Sequence, residues 1–175
     1  MKDSPIQLND VSIRTEPQPG DLGFVIHRHG KMYADEYGYG VSFEMYVAMG
    51  MYEFYKNYHP DKDRIWICEY KNQIIGFLLL MHRENKAAQL RYFYLEAAFR
   101  GMGLGKKLMN YFFEFVHDKK YDKLYLWTTQ EQAAAASMYK RYGFKLTEEK
   151  DSTAFGKSLK EQKYEWTDKN LIPIA

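Results

Sequence analysis

Residues 100–106 read Arg100-Gly101-Met102-Gly103-Leu104-Gly105-Lys106, and they separate a strand-like run at 88–95 from a long amphipathic segment at 103–119. Successive glycines let several backbone N–H groups turn toward one point and let an anion approach the chain closely. A helix that begins here adds the positive end of its dipole, and Lys106 and Lys107 add side-chain charge. The stretch therefore predicts a loop that binds a phosphate-bearing ligand, with a pyrophosphate as the best match.

Three interpretations of this loop compete. The plainest is a glycine-rich structural turn. A dinucleotide-binding fingerprint needs the spacing Gly-x-Gly-x-x-Gly, but Lys106 stands where the third glycine belongs, and the loop falls mid-chain after a predicted hairpin. The third interpretation, a loop for the pyrophosphate of an acyl-coenzyme A, depends on a second motif further along the chain.

Hydrophobic periodicity on both sides of the loop orders the rest of the chain. Apolar runs with strand character predict strands at 11–15, 65–70, 74–82, 88–95, 124–128, 145–150 and 163–167. Helical spacing predicts helices at about 21–29, 42–58, 103–119 and 133–142, with Asp21 and Ser42 as caps and Gly143 as a C-terminal stop. This order predicts a single α+β domain over residues 1–175, with one mixed sheet and a right-handed parallel unit around the loop.

The second motif follows the strand at 124–128. It reads Ala136-Ser137-Met138-Tyr139-Lys140-Arg141-Tyr142-Gly143-Phe144. The run resembles the Ala-x-x-Leu-Tyr-x-x-x-Gly-Phe helix of the GNAT superfamily of N-acetyltransferases, whose Arg/Gln-x-x-Gly-x-Gly/Ala loop is matched by Arg100, Gly103 and Gly105. Residues 20–30, together with Tyr33 and 36–37, resemble a branch often fused to MarR-type regulators, here in a stand-alone form. The resemblance implies a GNAT-like, mostly antiparallel sheet flanked by helices.

The same resemblance implies acetyl-CoA as the cofactor and assigns residues to it. The backbone of Phe93, Tyr94 and Leu95 is expected to pair with the pantetheine arm. The pyrophosphate is expected on the loop residues Arg100, Gly101, Met102, Gly103, Leu104, Gly105 and Lys106. Many relatives have Asn seven residues before the motif tyrosine, where it helps to bind CoA; this chain has Gln132, which keeps the amide on a longer side chain.

Tyr139 matches the tyrosine that, in the family, gives a proton to the departing thiolate. Transfer to an amine needs a neutral nucleophile, a stabilised oxyanion and a proton for the thiol. A phenol and a thiolate of comparable basicity are suitable partners for that proton transfer. The alternative, a tyrosine that only packs within a helix, stays open in a chain with 16 tyrosines.

The early aromatic and histidine-rich region is expected to form the acceptor site. The residues assigned to it are His27, His29, Tyr33, Glu36, Tyr37 and Trp127. Histidines at i and i+2 of a helix diverge, so a metal pair is not expected, and solvated or core histidines remain the alternative. The base stays open: the strand at 89–94 has no carboxylate. A water relayed by His27, His29 or Glu36 could serve, or no dedicated base exists.

Composition narrows the functional class. A net charge of +2 is too small for a nucleic-acid-binding stripe, and the longest apolar run, 74–81, is too short to span a bilayer. A single cysteine and the absence of a signal-peptide pattern favour a cytoplasmic protein. The expected acceptor is a small-molecule primary amine. The alternatives are a peptide acceptor and a catalytically silent CoA-binding module, and a homodimer is compatible with the aromatic surface.

Overall fold

The computed structural model describes residues 6–167. The first half comprises β1 (Ser12–Arg14), α1 (Asp21–Tyr37), α2 (Val41–Asn57), β2 (Arg64–Tyr70), β3 (Gln73–Arg83) and β4 (Ala87–Leu95). The second half comprises α3 (Leu104–Asp118), β5 (Lys123–Thr129), α4 (Ala133–Arg141), β6 (Lys145–Ser152) and β7 (Leu159–Thr167). The predicted order of strands and helices is confirmed.

All seven strands form one sheet in the order β1-β2-β3-β4-β5-β7-β6. Every neighbouring pair is antiparallel except β4 and β5, which α3 connects as a parallel crossover. The predicted mixed and mostly antiparallel sheet is therefore confirmed. The parallel pair lies at the centre of the sheet, directly beside the glycine-rich loop.

Each face of the sheet has its own hydrophobic core, because strand side chains alternate between the two faces. Leu108 and Phe112 of α3 are fully buried against one face, together with α4. Val47 and Met51 of α2 are fully buried against the other face, together with α1. Within residues 6–167, no helix combines the length and apolarity that a membrane crossing requires.

The first helix differs from the prediction at both ends. It runs to Tyr37 instead of ending near His29, because Gly30 lies inside it and leaves room for the Glu44 side chain of α2. Gly38, in the left-handed region at φ 70°, ends it. Its N-cap is Gly20; Asp21 is the first helical residue, and its carboxylate accepts the Gln18 N–H at 2.6 Å.

The starts of α2 and β7 also differ from the prediction. The second helix begins at Val41 with Gly40 as its N-cap, so the prediction of Ser42 as the cap was wrong. Strand β7 begins at Leu159, four positions before the predicted start. Its early residues join the backbone ladders with β6 and β5. The polar side chains at 160–163 hide the apolar alternation in the sequence.

Candidate functional site

The two central parallel strands separate beside the glycine-rich loop. They are paired only from Ala87 with Lys123 to Gln89 with Tyr125. Within the described residues, the ladder stops there, although β4 continues to Leu95 and β5 to Thr129. The β4 edge that faces β5 therefore has unpaired backbone groups, which an extended ligand can use as a further strand would.

A β-bulge in β4 shapes this opening. Arg91 pairs with Leu79 and Tyr94 pairs with Phe77, so Tyr92 and Phe93 lie opposite the single residue between those partners. Tyr92 has φ 53°, in the left-handed region. Such a bulge bends a strand and redirects its side chains. The bend accompanies the separation of β4 from β5 at the same level of the sheet.

The loop itself presents free amides. Gly101 and Gly103 have φ values of 80° and 93°, which glycine adopts without the strain of a Cβ. No hydrogen-bond acceptor for the N–H groups of residues 101–106 occurs within residues 6–167, whereas the next amide, Lys107, donates to Gly103 O at 3.0 Å. These amides and the N-terminus of α3 suit a multiply charged anion.

Arg100 fastens the loop to the first helix. Its Nε donates to Leu95 O at 2.9 Å, and its Nη2 pairs with Glu36 Oε1 at 2.7 Å. The guanidinium is thus held by α1 and by the end of β4. Glu36 is likewise engaged by this ion pair and lies away from the cavity described next.

A cavity of about 80 Å³ lies between the two separated strands and the helices α1 and α2. Six residues predicted from the sequence line it: His29, Tyr33, Phe93, Trp127, Gln132 and Tyr139. Three residues predicted for the acceptor site do not. His27 is exposed, Glu36 pairs with Arg100, and Tyr37 packs behind Tyr33 with ring centroids 5.3 Å apart.

His29 is the one buried histidine in this cavity wall. Its Nδ1 lies 2.9 Å from Val25 O. A carbonyl oxygen can only accept, so the neutral ring carries its proton on Nδ1 and has a lone pair on Nε2. Nε2 is buried and has no partner within the described residues. Burial lowers the pKa of His29 to about 4, so the ring is neutral at physiological pH.

Tyr139 lies on the other side of the cavity, on α4, and only 6% of its surface is exposed. Burial raises the pKa of its phenol above the usual range, so the hydroxyl keeps its proton at neutral pH. Burial also raises the pKa of Tyr33, and the adjacent Tyr139 phenol adds to this effect. Both tyrosines line the cavity.

Gln132 links Tyr33 of α1 to Thr129 of β5. It is the N-cap residue of α4, its Oε1 accepts from the Tyr33 hydroxyl at 3.3 Å, and its Nε2 donates to Thr129 Oγ1 at 3.4 Å. The Tyr39 hydroxyl also contacts Thr129 Oγ1, at 2.7 Å. Polar contacts thus join α1, α4 and β5 at the point where the central strands separate.

Comparison with known proteins identifies the family that shares this geometry. The model of the acetyltransferase (GNAT) family matches residues 28–144, which include the loop, the separated strands and the helix of Tyr139. The chain belongs to the GNAT family. YjgM of Escherichia coli K12, described as an uncharacterized N-acetyltransferase, is 30% identical over 95 residues, which are 53% of this chain and 57% of YjgM. The GNAT chain spans about half the length of the curated relatives it matches.

Solved structures share the fold. A GNAT acetyltransferase from Staphylococcus aureus Mu50 has a TM-score of 0.71 at 17% identity, over 90% of this chain and 98% of that one. A Bacillus anthracis protein solved in complex with acetyl coenzyme A has a TM-score of 0.53 at 21% identity, over 61% and 64% of the two chains. These likenesses confirm the GNAT fold predicted from the sequence.

Several residues of this GNAT cavity escaped the sequence analysis. They are Phe43, Tyr46, Arg91, Tyr92, Phe155 and Glu161. Of these, Arg91 could have been found from the sequence. It is a charged residue in the middle of a strand, and that strand is covered on both faces of the sheet. Phe155 lies in the loop between β6 and β7 and reaches the cavity only through tertiary folding.

Proposed function

We propose that this chain is an N-acetyltransferase that moves an acetyl group from acetyl-CoA to the primary amine of a small molecule. The observation that carries the proposal is the juxtaposition of free loop amides, an unpaired strand edge and an aromatic cavity that contains Tyr139. Each part matches one requirement of the reaction: an anion site, a groove for an extended arm and an enclosed place for the amine.

The residues present fit acetyl-CoA. The amides of residues 101–106 would hold its pyrophosphate, and the free edge of β4 at 93–95 would hold the pantetheine arm. When bound, acetyl-CoA supplies the acetyl group as an activated thioester. The acetyl-CoA complex of the Bacillus anthracis neighbour supports this assignment. The guanidinium of Arg100 would act by positioning the loop, since Leu95 and Glu36 already hold it.

Tyr139 is proposed as the general acid. Its Oη keeps a proton in the cavity and can deliver it to the developing negative charge on sulfur, and the proton that the amine nitrogen loses as the amide forms restores the phenol. Burial makes the phenol a weaker acid than a phenol in water, so we expect the proton to move only as that charge develops.

His29 is proposed to orient the amine. His29 lines the cavity, its Nε2 has no partner among the described residues, and we propose that the Nε2 lone pair accepts an N–H hydrogen bond from a neutral amine. A ring with a pKa of about 4 is a poor store for the proton of an ammonium ion. The role that the geometry supports is therefore hydrogen-bond acceptance, with the amine deprotonated before it enters.

The contacts of the loop beside the cavity favour a small acceptor over a peptide. The loop between β6 and β7 lines the cavity with Phe155, and Gly40 N–H donates to Phe155 O at 2.8 Å. Lys157 of the same loop contacts Tyr37 O at 3.0 Å and pairs with Glu131 at 2.6 Å. An extended peptide would have to displace these contacts.

The test follows free thiol during incubation with acetyl-CoA and a panel of small amines or lysine-containing peptides. Turnover with a small amine supports the proposal, whereas turnover only with peptides contradicts it. Calorimetry that detects acetyl-CoA binding without any thiol release would indicate a silent binding module. Tyr139→Phe is expected to slow thiol release by roughly 100-fold or more while acetyl-CoA affinity stays the same. Tyr121→Phe is the matched control, because Tyr121 is as buried as Tyr139 but its hydroxyl contacts Lys62 O and His82 Nδ1 outside the cavity.

Two further expectations rest on the sequence and stay proposals. A cytoplasmic location follows from the single cysteine, which is buried and unpaired. A homodimer is supported by exposed apolar side chains along one side of α2: Val41, Met45, Met49 and Tyr52. Sedimentation of the wild type against a Met45→Glu, Met49→Glu variant would test it.

A further inference from the structure

Two guanidinium groups share one carboxylate at the edge of the cavity. Glu53 of α2 accepts from Arg83 Nη1 at 2.6 Å through Oε1, and its Oε2 lies 3.5 Å from Arg91 Nη1. Arg83 also donates through Nε and Nη2 to Gln89 Oε1, at 3.2 and 2.7 Å. Arg83 is therefore well satisfied, and the trio retains one net positive charge.

Arg91 carries that charge in a confined place. Only 10% of its side chain is exposed, and within residues 6–167 its guanidinium makes no hydrogen bond beyond the long ion pair with Glu53. It lies 4.7 Å from the Tyr92 ring and 5.6 Å from the Tyr46 ring, which attract a cation but do not satisfy N–H groups. A guanidinium has five donors, so those that Glu53 does not engage are available to a ligand.

Gly50 of α2 makes room for this arrangement. A Cβ at that position would lie 2.5 Å from Arg91 Nη2 and would also collide with the Tyr92 hydroxyl. The helix therefore packs closely onto Arg91 and keeps the guanidinium at the cavity wall. Any larger residue at position 50 would push it out of place.

Among the cavity-lining residues that the structure describes, no carboxylate is free to neutralise Arg91. Glu161 lines the cavity as well, but Lys150 Nζ lies 3.7 Å from its Oε2, and Lys150 itself lies 4.6 Å from the Trp127 ring. His29 is neutral. The cavity wall thus presents one uncompensated cation beside an aromatic lining.

We propose that the acceptor is an α-amino acid whose carboxylate binds the Arg91 guanidinium. This inference rests on the proposed function, since the amine must face Tyr139 for transfer. Arg91 and Tyr139 line the same cavity, so a ligand whose carboxylate lies on Arg91 has its amine in the cavity that contains the proposed general acid.

The test compares kcat/KM for L-alanine, L-methionine and L-phenylalanine with that for their carboxamides, at saturating acetyl-CoA. Amidation also lowers the amine pKa, so the informative quantity is the change of the acid-to-amide ratio between wild type and variant. Arg91→Gln is expected to lower that ratio roughly tenfold or more, because a hydrogen-bonded charge pair is lost. Arg91→Lys, which keeps the charge without the bidentate fork, is expected to retain part of the ratio.

Arg64→Gln is the matched control. Arg64 lies over the Phe115 ring at 4.6 Å, outside the cavity, and its loss should leave the ratio unchanged. A ratio that Arg91→Gln leaves within about twofold of wild type overturns the inference, as does thiol release with other small amines but with none of the amino acids. Failure to bind acetyl-CoA in calorimetry would instead overturn the proposed function, and this inference with it.

Discussion

The hydroxyl of Tyr33 donates to Gln132 Oε1 at 3.3 Å, which joins the first helix to the N-cap of the helix that carries Tyr139. These residues are 99 positions apart in the chain. The contact fixes two walls of the cavity relative to each other, and both residues line it. Acceptor binding should therefore depend on this contact more than overall stability does.

Tyr33→Phe tests that dependence. Removal of the hydroxyl leaves Gln132 Oε1 without its donor, at a cost of about 1 kcal/mol. We expect KM for the amine to rise several-fold and the midpoint of thermal unfolding to fall by only a few degrees. Steady-state kinetics and a melting curve measure the two effects, with Tyr70→Phe as the control at a ring that packs on Phe99 outside the cavity. An unchanged KM would show that the contact does not shape the acceptor site.

Gly103→Ala is expected to weaken acetyl-CoA binding by at least roughly tenfold. The new Cβ meets nothing closer than Leu8 Cδ2 at 3.9 Å, so the cost is backbone strain at φ 93°, about 1–2 kcal/mol. Relief of that strain would turn the loop amides away from their common point. Isothermal titration with acetyl-CoA measures the loss.

Gly23→Ala makes the same substitution at a position where we expect it to raise stability and leave acetyl-CoA affinity unchanged. Gly23 lies inside α1 without a positive φ, and a Cβ added there would meet no described atom within 4 Å. Alanine is the better helix former by about 1 kcal/mol, so this variant should gain stability and keep its acetyl-CoA affinity. Equal loss of affinity in both variants would mean that the loop conformation is not responsible.

His29 makes stability depend on pH in a defined interval. Its pKa is about 4 in the folded chain and 6.5 when unperturbed, so between these values the unfolded chain binds a proton that the folded chain does not. Lowering the pH from 6.5 to 4 should therefore cost roughly 3 kcal/mol of unfolding free energy through this group, and raising it above 6.5 should change nothing further.

Urea titrations of the wild type and His29→Asn at several pH values measure how the free energy of unfolding depends on the His29 proton. Asparagine retains a donor for Val25 O but cannot titrate, so the variant should lose less stability than the wild type as the pH falls from 6.5 to 4. His27→Asn, at an exposed position of the same helix, is the control and should follow the wild-type profile. Parallel profiles for wild type and His29→Asn would contradict a buried neutral imidazole.

Local patterns were enough to predict the elements around the loop. The helix after Gly103 and the strand at 124–128 were predicted within one or two residues, because their apolar periodicity is strong and glycine marks the boundary. The length of α1 was missed, since Gly30 looks like a helix break until the Glu44 side chain is seen to occupy the space it leaves.

The sequence alone determined the family motifs, the order of elements and the glycine-rich turn into α3, because glycine conformations and helix ends are set within a few residues. Only the tertiary structure decided which side chains meet in the cavity. It brought Arg91 and Phe155 to its wall and directed Glu36 to Arg100. Those contacts join residues far apart in the chain, and their geometry depends on how the sheet bends at the Tyr92 bulge and on how closely α2 packs at Gly50.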